Sequence, residues 1–141
     1  MARIKIGFDV GGVLSKYPHI FRPFVMALEA AAEIEVYIIS DVKPHEKVRI
    51  FCLENGFCIA ENRIHVADYD RYGEGCKAKL CEDLGIHILI DDHMGYLAIA
   101  GSPLVRLLVM PDPFLPYYAD TWHIHDGEGD FGRRSYFPGK S

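Results

Sequence analysis

Short apolar runs, rich in β-branched residues, recur along the chain and predict the strands of a sheet. The first run is Ile4–Phe8, and the second is Glu35–Ser40, which ends on a hydroxyl group. Later runs predict strands at Arg63–Val66, Ile86–Ile90 and Leu104–Met110. The runs Ile4–Phe8 and Ile86–Ile90 are apolar enough to be buried strands.

Between these strands, apolar residues recur at the spacing of amphipathic helices. The pattern predicts helices at Phe21–Ala32, around Val48–Cys52 and ending at Asn55-Gly56, at Lys77–Leu84, and near Met94–Ala100. Asp41 precedes the second of these helices, and we expect it to act only as a cap. The polar segment Asp68–Gly75 contains Gly73 and Gly75 and is expected to be a loop.

The alternation of strands and helices predicts an α/β fold, a three-layer Rossmann-like parallel sheet with helices on both faces. Residues 1–116 are expected to form this core domain. Residues 117–141 are rich in glycine and aromatic residues without periodicity, and they predict an irregular C-terminal tail packed on the core. His123 and His125 lie in that tail, where solvated histidines are a better explanation than a transition-metal site.

Composition narrows the classes of function. The chain has 141 residues, half of them hydrophobic, and a net charge of −5 with scattered basic residues, so no extended nucleic-acid surface is expected. No signal peptide is expected, and every apolar run is too short to span a membrane. The 4 cysteines contain no Cys-x-x-Cys pair, which favours buried free thiols and a cytoplasmic location.

Several predicted strands end in polar side chains. Asp9 follows the first strand, Ser40 closes the second, and Asp91-Asp92 follows the run Ile86–Ile90. Right-handed crossovers bring the carboxyl ends of parallel strands to one edge, so these groups should meet there. Carboxylates gathered in one place repel one another unless a cation lies among them, and oxygen ligands favour Mg²⁺.

A phosphoryl group would fit the same cluster. Lys77, at the start of a predicted helix, and Mg²⁺ would neutralise its oxygens, while Ser40 and loop N–H groups would donate hydrogen bonds. Asp9 would then attack phosphorus and form an aspartyl-phosphate. Lys79 is an alternative to Lys77, and the pattern does not decide whether Asp91 or Asp92 binds the metal directly.

Four segments in this order resemble the motifs of the haloacid dehalogenase-like hydrolase superfamily. They are Phe8-Asp9-Val10-Gly11-Gly12-Val13-Leu14, Tyr37-Ile38-Ile39-Ser40, Lys77 and Ile90-Asp91-Asp92. The resemblance implies a Rossmann-like sheet, Mg²⁺ dependence and phosphate-ester hydrolysis through Asp9. It also implies that the Gly11 carbonyl binds the metal and that the N–H groups of the loop, which includes Gly11, bind the phosphate.

The sequence departs from this family at Gly11, where most of its phosphatases carry an acid–base Asp. Three consequences are open: a substrate with a good leaving group, such as an acyl phosphate or anhydride; a substitute acid from Ser15, Tyr17 or His19; or binding without catalysis. The chain also has no room for a cap domain. We therefore expect a small phosphorylated substrate or a phosphorylated macromolecule, with a partner protein or a second copy supplying any lid.

Other classes of function remain as alternatives. A catalytically impaired binding module, acting through a partner, would keep metal or phosphate affinity without turnover. A phospho-acceptor receiver domain uses similar groups, but its acidic pair should come first and its lysine last, which this chain reverses. Dehalogenase chemistry has no need of the Asp91-Asp92 pair.

Overall fold

The computed structural model describes residues 3–98, 103 and 105–110. Within these residues the strands form one sheet, all parallel, in the order β3-β2-β1-β4-β5. The strands are β1 (Ile4–Phe8), β2 (Ile34–Ser40), β3 (Ile64–Val66), β4 (Ile88–Asp91) and β5 (Val105–Leu108). The predicted α/β class with an all-parallel sheet is confirmed.

Helices follow the strands and cover the sheet. They are α1 (Pro18–Ala30), α2 (His45–Glu54), α3 (Tyr69–Tyr72), α4 (Cys76–Leu84) and α5 (Met94–Leu97). A π-helical turn, Val10–Leu14, joins β1 to α1, and 3₁₀ turns occupy Glu61–Arg63 and Gly73–Gly75. No helix in the described ranges is long and apolar enough to cross a membrane.

The two faces of the sheet have separate hydrophobic cores. Along β2, Val36 and Ile38 point into the core shared with α1 and α2, whereas Tyr37 and Ile39 point into the core shared with α4 and α5. This alternation follows from the two-residue period of a strand. Helices therefore lie on both faces, which is consistent with a Rossmann-like fold. Cys52 and Cys81 are buried in these cores, and all 4 cysteines are free as predicted, but Cys58 is exposed rather than buried.

The strand order creates a switch point beside β1. The chain proceeds outward from β1 through β2 to β3, and then returns to the other side of β1 to form β4 and β5. In open α/β sheets, ligands bind at the carboxyl ends of the strands on either side of such a reversal. Those strand ends here are the ends of β1 and β4.

The structure corrects several boundaries that the sequence pattern predicted. The segment Asp68–Gly75 is not simply a loop, because the Asp68 side chain accepts a hydrogen bond from the N–H of Arg71 and starts α3. Strand β4 begins at Ile88, where its pairing with β1 and β5 starts, and it includes Asp91 because that residue pairs with Leu108 of β5. The predicted domain limit at residue 116, the tail 117–141 and His123 and His125 lie outside the described residues.

The expected role of Asp41 as a helix cap is wrong. Pro44 occupies the N-cap position of α2. The Asp41 carboxylate accepts a hydrogen bond from the Tyr96 hydroxyl instead. A side chain cannot reach the first N–H groups of a helix that begins several residues later, so Asp41 is available for other contacts.

Candidate active site

Asp9 lies where β1 gives way to the π-helical turn. Its N–H donates a hydrogen bond to the Ile90 carbonyl of β4 at 2.9 Å, which holds its backbone against the neighbouring strand. In the turn, Gly11 has φ −65° and ψ 124°, which any residue can adopt, whereas Gly12 has φ 77°. Only Gly12 therefore needs the conformational freedom of glycine.

Gly12 also allows the turn to approach the acidic pair. A Cβ atom at this position would lie 1.9 Å from Asp92 Oδ2, so no larger residue fits without displacing that carboxylate. The Gly12 N–H donates to Ser15 Oγ at 3.2 Å and stabilises the turn. The first motif and the Asp92 carboxylate are therefore in direct contact.

Three buried carboxylates meet at this edge: Asp9, Asp91 and Asp92 offer one oxygen each, and these oxygens all lie within 4.8 Å of one another. The N–H of His93 donates to Asp91 Oδ1 at 2.8 Å. Asp92 Oδ2 is buried and has no hydrogen-bond partner among the described residues. All three carboxylates are buried, with at most 4% of any residue exposed.

The ammonium group of Lys77 lies between two of these carboxylates. Its Nζ donates to Asp9 Oδ1 at 2.6 Å and to Asp91 Oδ2 at 2.7 Å, and the residue is fully buried. Lys79, the alternative from the sequence, forms an exposed pair with Asp83 on the same helix. The structure therefore brings Lys77 into the cluster and leaves Lys79 on the surface.

Ser40 and Ser15 are buried, whereas Tyr17 and His19, the other candidates for a substitute acid, are partly or fully exposed. Ser40 is buried at the end of β2, and its Oγ accepts the N–H of Val42 at 3.1 Å, which leaves its hydroxyl hydrogen for another acceptor. Ser15 is buried and bonded to Gly12. Tyr17 is half-buried at the start of α1, and His19 is exposed in its first turn.

The charges of the cluster perturb one another strongly. Burial, followed by repulsion from Asp91, raises the pKa of Asp9 from 3.8 to about 8, although Lys77 opposes the change. Burial and the nearby Asp9 raise the pKa of Asp92 well above its usual range. Burial favours the neutral amine of Lys77, but the attraction of Asp9 and Asp91 prevails and holds the pKa of Lys77 well above its usual value.

The donor set suits a divalent cation. One lysine offsets only part of the charge of three clustered carboxylates, and the buried Asp92 Oδ2 accepts no hydrogen bond from any residue that the structure describes. A hard cation bound by oxygen atoms would neutralise the excess charge and give that oxygen a partner. Asp9, Asp91 and Asp92 are the residues that would hold it. Burial, followed by repulsion among the carboxylates, raises the pKa values of Asp9 and Asp92, and a bound cation would oppose both effects.

Mg²⁺ is expected to stabilise the protein more at alkaline than at acidic pH. The pKa of Asp9 is raised from 3.8 in the unfolded chain to about 8 in the folded protein. The protonated Asp9 therefore stabilises the metal-free protein fully below pH 3.8, and this stabilisation is lost as the pH rises to about 8. A cation replaces the protons on Asp9 and Asp92, so its binding strengthens over that same interval. Melting temperatures measured with EDTA and with Mg²⁺ across this pH range would check the expectation.

Two variants test whether the cation binds in the cluster: Asp92→Asn is the test variant, and Asp83→Asn is its matched control. The first removes a buried carboxylate of the cluster, and the second removes an exposed carboxylate that pairs with Lys79 on the surface of α4. The Mg²⁺-dependent increase in melting temperature should vanish in Asp92→Asn and persist in Asp83→Asn. An equal increase in both variants would show that the cation binds elsewhere.

Two contributors were missed by the sequence analysis, Asp41 and Tyr96. Asp41 is one of the charges that raise the pKa of both Asp9 and Lys77, so it lies near the cluster. The face of the Tyr96 ring lies 4.7 Å from Lys77 Nζ. Asp41 directly follows Ser40 and Tyr96 follows the acidic pair by four residues, but neither has a pattern that distinguishes it from a cap or a core aromatic residue.

Comparisons of the chain with known protein families, with curated proteins and with solved structures found no match. The function must therefore be inferred from the site itself.

Proposed function

We propose that this protein is an Mg²⁺-dependent phosphohydrolase or phosphotransferase that acts through an aspartyl-phosphate on Asp9. The observation that carries the proposal is the convergence of Asp9, Asp91, Asp92 and Lys77 at the switch point of the sheet. These are the groups that the resemblance to the haloacid dehalogenase-like superfamily assigns to this chemistry. A cytoplasmic location, suggested by the free cysteines, is part of the same proposal.

Lys77 and Asp9 would have different roles in the proposed reaction. Lys77 holds Asp9 by one carboxylate oxygen and offers its charge to an incoming phosphoryl group. The other Asp9 oxygen attacks phosphorus, the bond from phosphorus to the leaving group breaks, and the leaving group departs with the electron pair. Water then attacks phosphorus, the bond to Asp9 breaks, and phosphate is released while the water proton passes to solvent or to the product.

Mg²⁺, when bound, would screen the negative charge of the phosphoryl oxygens and of the carboxylates. Ser40, with a free hydroxyl hydrogen at the end of β2, would donate to a phosphoryl oxygen. The Gly11 carbonyl and the N–H groups of the turn are proposed to assist in the same way. The ionised form of Asp9 is the nucleophile, so displacement of its proton is a condition of activity.

Gly11 affects which substrates are suitable. It supplies no side chain to protonate a departing oxygen, and a general acid is worth about 10²–10⁴-fold in rate. Substrates whose leaving groups depart as stable anions, such as acyl phosphates, anhydrides and aryl phosphates, should therefore be preferred over alkyl esters. Only Ser15–Tyr17 separate the π-helical turn from α1, so the chain inserts no cap there. A partner protein or a second copy would supply any lid.

The test is turnover of acetyl phosphate, p-nitrophenyl phosphate and an alkyl phosphate, each with Mg²⁺ and with EDTA. We expect Mg²⁺-dependent turnover, fastest for acetyl phosphate. In Asp9→Asn it should fall to background because the amide is a poor nucleophile, whereas Asp83→Asn should match the wild type. Mass spectrometry of acid-quenched protein should detect one added phosphoryl group, and only when Asp9 is present. Turnover that is equal in Asp9→Asn would refute the nucleophilic role.

The absence of an acid at Gly11 also favours a second candidate, a binding module that keeps the metal and phosphoryl site but does not turn over substrate. It would bind Mg²⁺ with BeF₃⁻, a mimic of the phosphoryl group, and act through a partner. Calorimetric binding of Mg²⁺ and BeF₃⁻ without hydrolysis of any of the three substrates would favour it. Sustained turnover that depends on Asp9 would exclude it.

A further inference from the structure

The Tyr96 ring completes the environment of the Lys77 ammonium group. Two carboxylates, Asp9 and Asp91, bind the ammonium at 2.6 and 2.7 Å, and the face of Tyr96 lies 4.7 Å from Nζ. A buried cation above an aromatic face is attracted by the negative charge of that face. The ring therefore limits where the ammonium can move.

Tyr96 is itself firmly held. The residue is 4% exposed, and the ring of His93 stacks on it with centroids 4.3 Å apart and an interplanar angle of 27°. Tyr69 meets it edge to face with centroids 6.4 Å apart. Its hydroxyl donates to the Asp41 carboxylate, a charge-assisted hydrogen bond. The bond fixes the position of the hydroxyl end of the side chain, and the stacked His93 ring fixes the orientation of the face that Lys77 meets.

The hydrogen bond between Asp41 and Tyr96 joins two segments that are far apart in the chain. Asp41 directly follows β2, and Tyr96 belongs to α5, which follows β4. Strand β1 lies between β2 and β4, and it carries Asp9 at its carboxyl end. The bond between Asp41 and Tyr96 thus links the two strands on either side of the proposed nucleophile.

We propose that Tyr96, held by Asp41, is a positioning residue that sets the location of the Lys77 ammonium beside Asp9. This inference deepens the proposed function and rests on it for its catalytic consequence. The placement of the ammonium itself does not depend on turnover. It can therefore be tested by a spectroscopic measurement and by kinetics separately.

The spectroscopic test records the ¹⁵N–¹H signals of lysine ammonium groups by NMR in the wild type and its variants. A buried, doubly bonded ammonium over a ring should exchange slowly and be shifted upfield by the ring current. In Tyr96→Leu that shift should be lost, and in Asp41→Ala the signal should move and broaden. Asp41→Asn removes the charge but keeps an amide oxygen that accepts the hydroxyl hydrogen, so its signal should be sharper and nearer the wild-type position than that of Asp41→Ala. Tyr72→Phe, on an exposed tyrosine of α3, is the matched control.

The kinetic test uses acetyl phosphate with Mg²⁺. Loss of the ring in Tyr96→Leu should lower kcat/KM by about 10- to 30-fold. The loss should include a rise in KM, because Lys77 contacts the phosphoryl group before transfer as well as during it. Tyr96→Phe should have a smaller effect than Tyr96→Leu, and it should add little to Asp41→Ala in the double variant, since both changes remove the same hydrogen bond. A fraction of unfolded protein would lower kcat and leave KM unchanged.

The outcomes distinguish this inference from the proposed function. If the ammonium signal responds as expected but the wild type turns over none of the substrates, the positioning role stands and the phosphohydrolase proposal fails. If the wild type is active, and Tyr96→Leu keeps the wild-type KM and the wild-type ammonium signals, the positioning role is wrong. Restoration of the signal and of KM in Asp41→Asn relative to Asp41→Ala would identify the hydrogen bond as the cause.

Discussion

The variant Gly11→Asp is expected to hydrolyse alkyl phosphate esters about 10²–10⁴-fold faster than the wild type, the usual value of a general acid and base. The backbone permits the change, because Gly11 has φ −65° and ψ 124°. The new carboxyl group would lie two residues from Asp9, on the turn that leaves β1. There it could protonate a departing oxygen and then take a proton from water. Steady-state rates on an alkyl phosphate with Mg²⁺ would measure the gain.

The matched control is Gly11→Asn, which has the same size and no proton to transfer. It should leave the rate on alkyl esters unchanged, and acetyl phosphate should gain little from either variant because its leaving group needs no acid. A gain of equal size in both variants would mean that side-chain packing, not proton transfer, limits the wild type. Gly12 offers no such experiment, because its φ of 77° and the contact with Asp92 exclude any side chain.

Replacement of Lys77 by Met should destabilise the metal-free protein by about 3–5 kcal/mol, the usual cost of removing one partner from a buried ion pair. The change would leave Asp9 and Asp91 buried beside each other without the ammonium that bonds both. Methionine has a similar length, so little of the loss would come from a cavity. Urea unfolding at neutral pH in the presence of EDTA would measure the difference in free energy.

Lys79→Met, in the same helix, is the natural comparison. Lys79 is exposed and pairs only with Asp83 among the described residues, one turn away, so its loss should not change the unfolding free energy measurably. Mg²⁺ should recover part of the stability of Lys77→Met, since a cation among the carboxylates opposes the same repulsion. If both lysine variants unfold at the same urea concentration, the cluster does not depend on the Lys77 ammonium.

Most of the secondary structure could be predicted from local pattern. The β-branched runs marked β1 and β2 closely, because a buried strand needs apolar side chains over its whole length. The end of β4 was less predictable, since Asp91 continues the strand only through its pairing with Leu108 of β5. The start of α2 and the existence of α3 were also missed, because capping depends on which side chain reaches which N–H group.

The residues of the candidate site also differ in whether local pattern or only tertiary contacts could reveal their roles. That Asp9, Ser40 and the acidic pair would lie at one edge could be predicted, because parallel strands joined by right-handed crossovers have their carboxyl ends on one side. Lys77 was preferred to Lys79 only through the resemblance of its spacing to a known family, since both lysines lie in the same helix and packing alone buries one of them. The role predicted for Asp41 was wrong, because its partner, Tyr96, lies 55 residues away along the chain.

By itself, the sequence determined that the protein has an α/β fold and that several strands end in carboxylate or hydroxyl side chains. Both properties depend on periodicity and on neighbours along the chain, which a sequence displays directly. The tertiary structure decided which groups contact one another: Lys77 with Asp9 and Asp91, Gly12 with Asp92, and Asp41 with Tyr96 across the end of β1. Those contacts depend on the order of the strands in the sheet, and strand order is a balance of packing over the whole domain that no local pattern records.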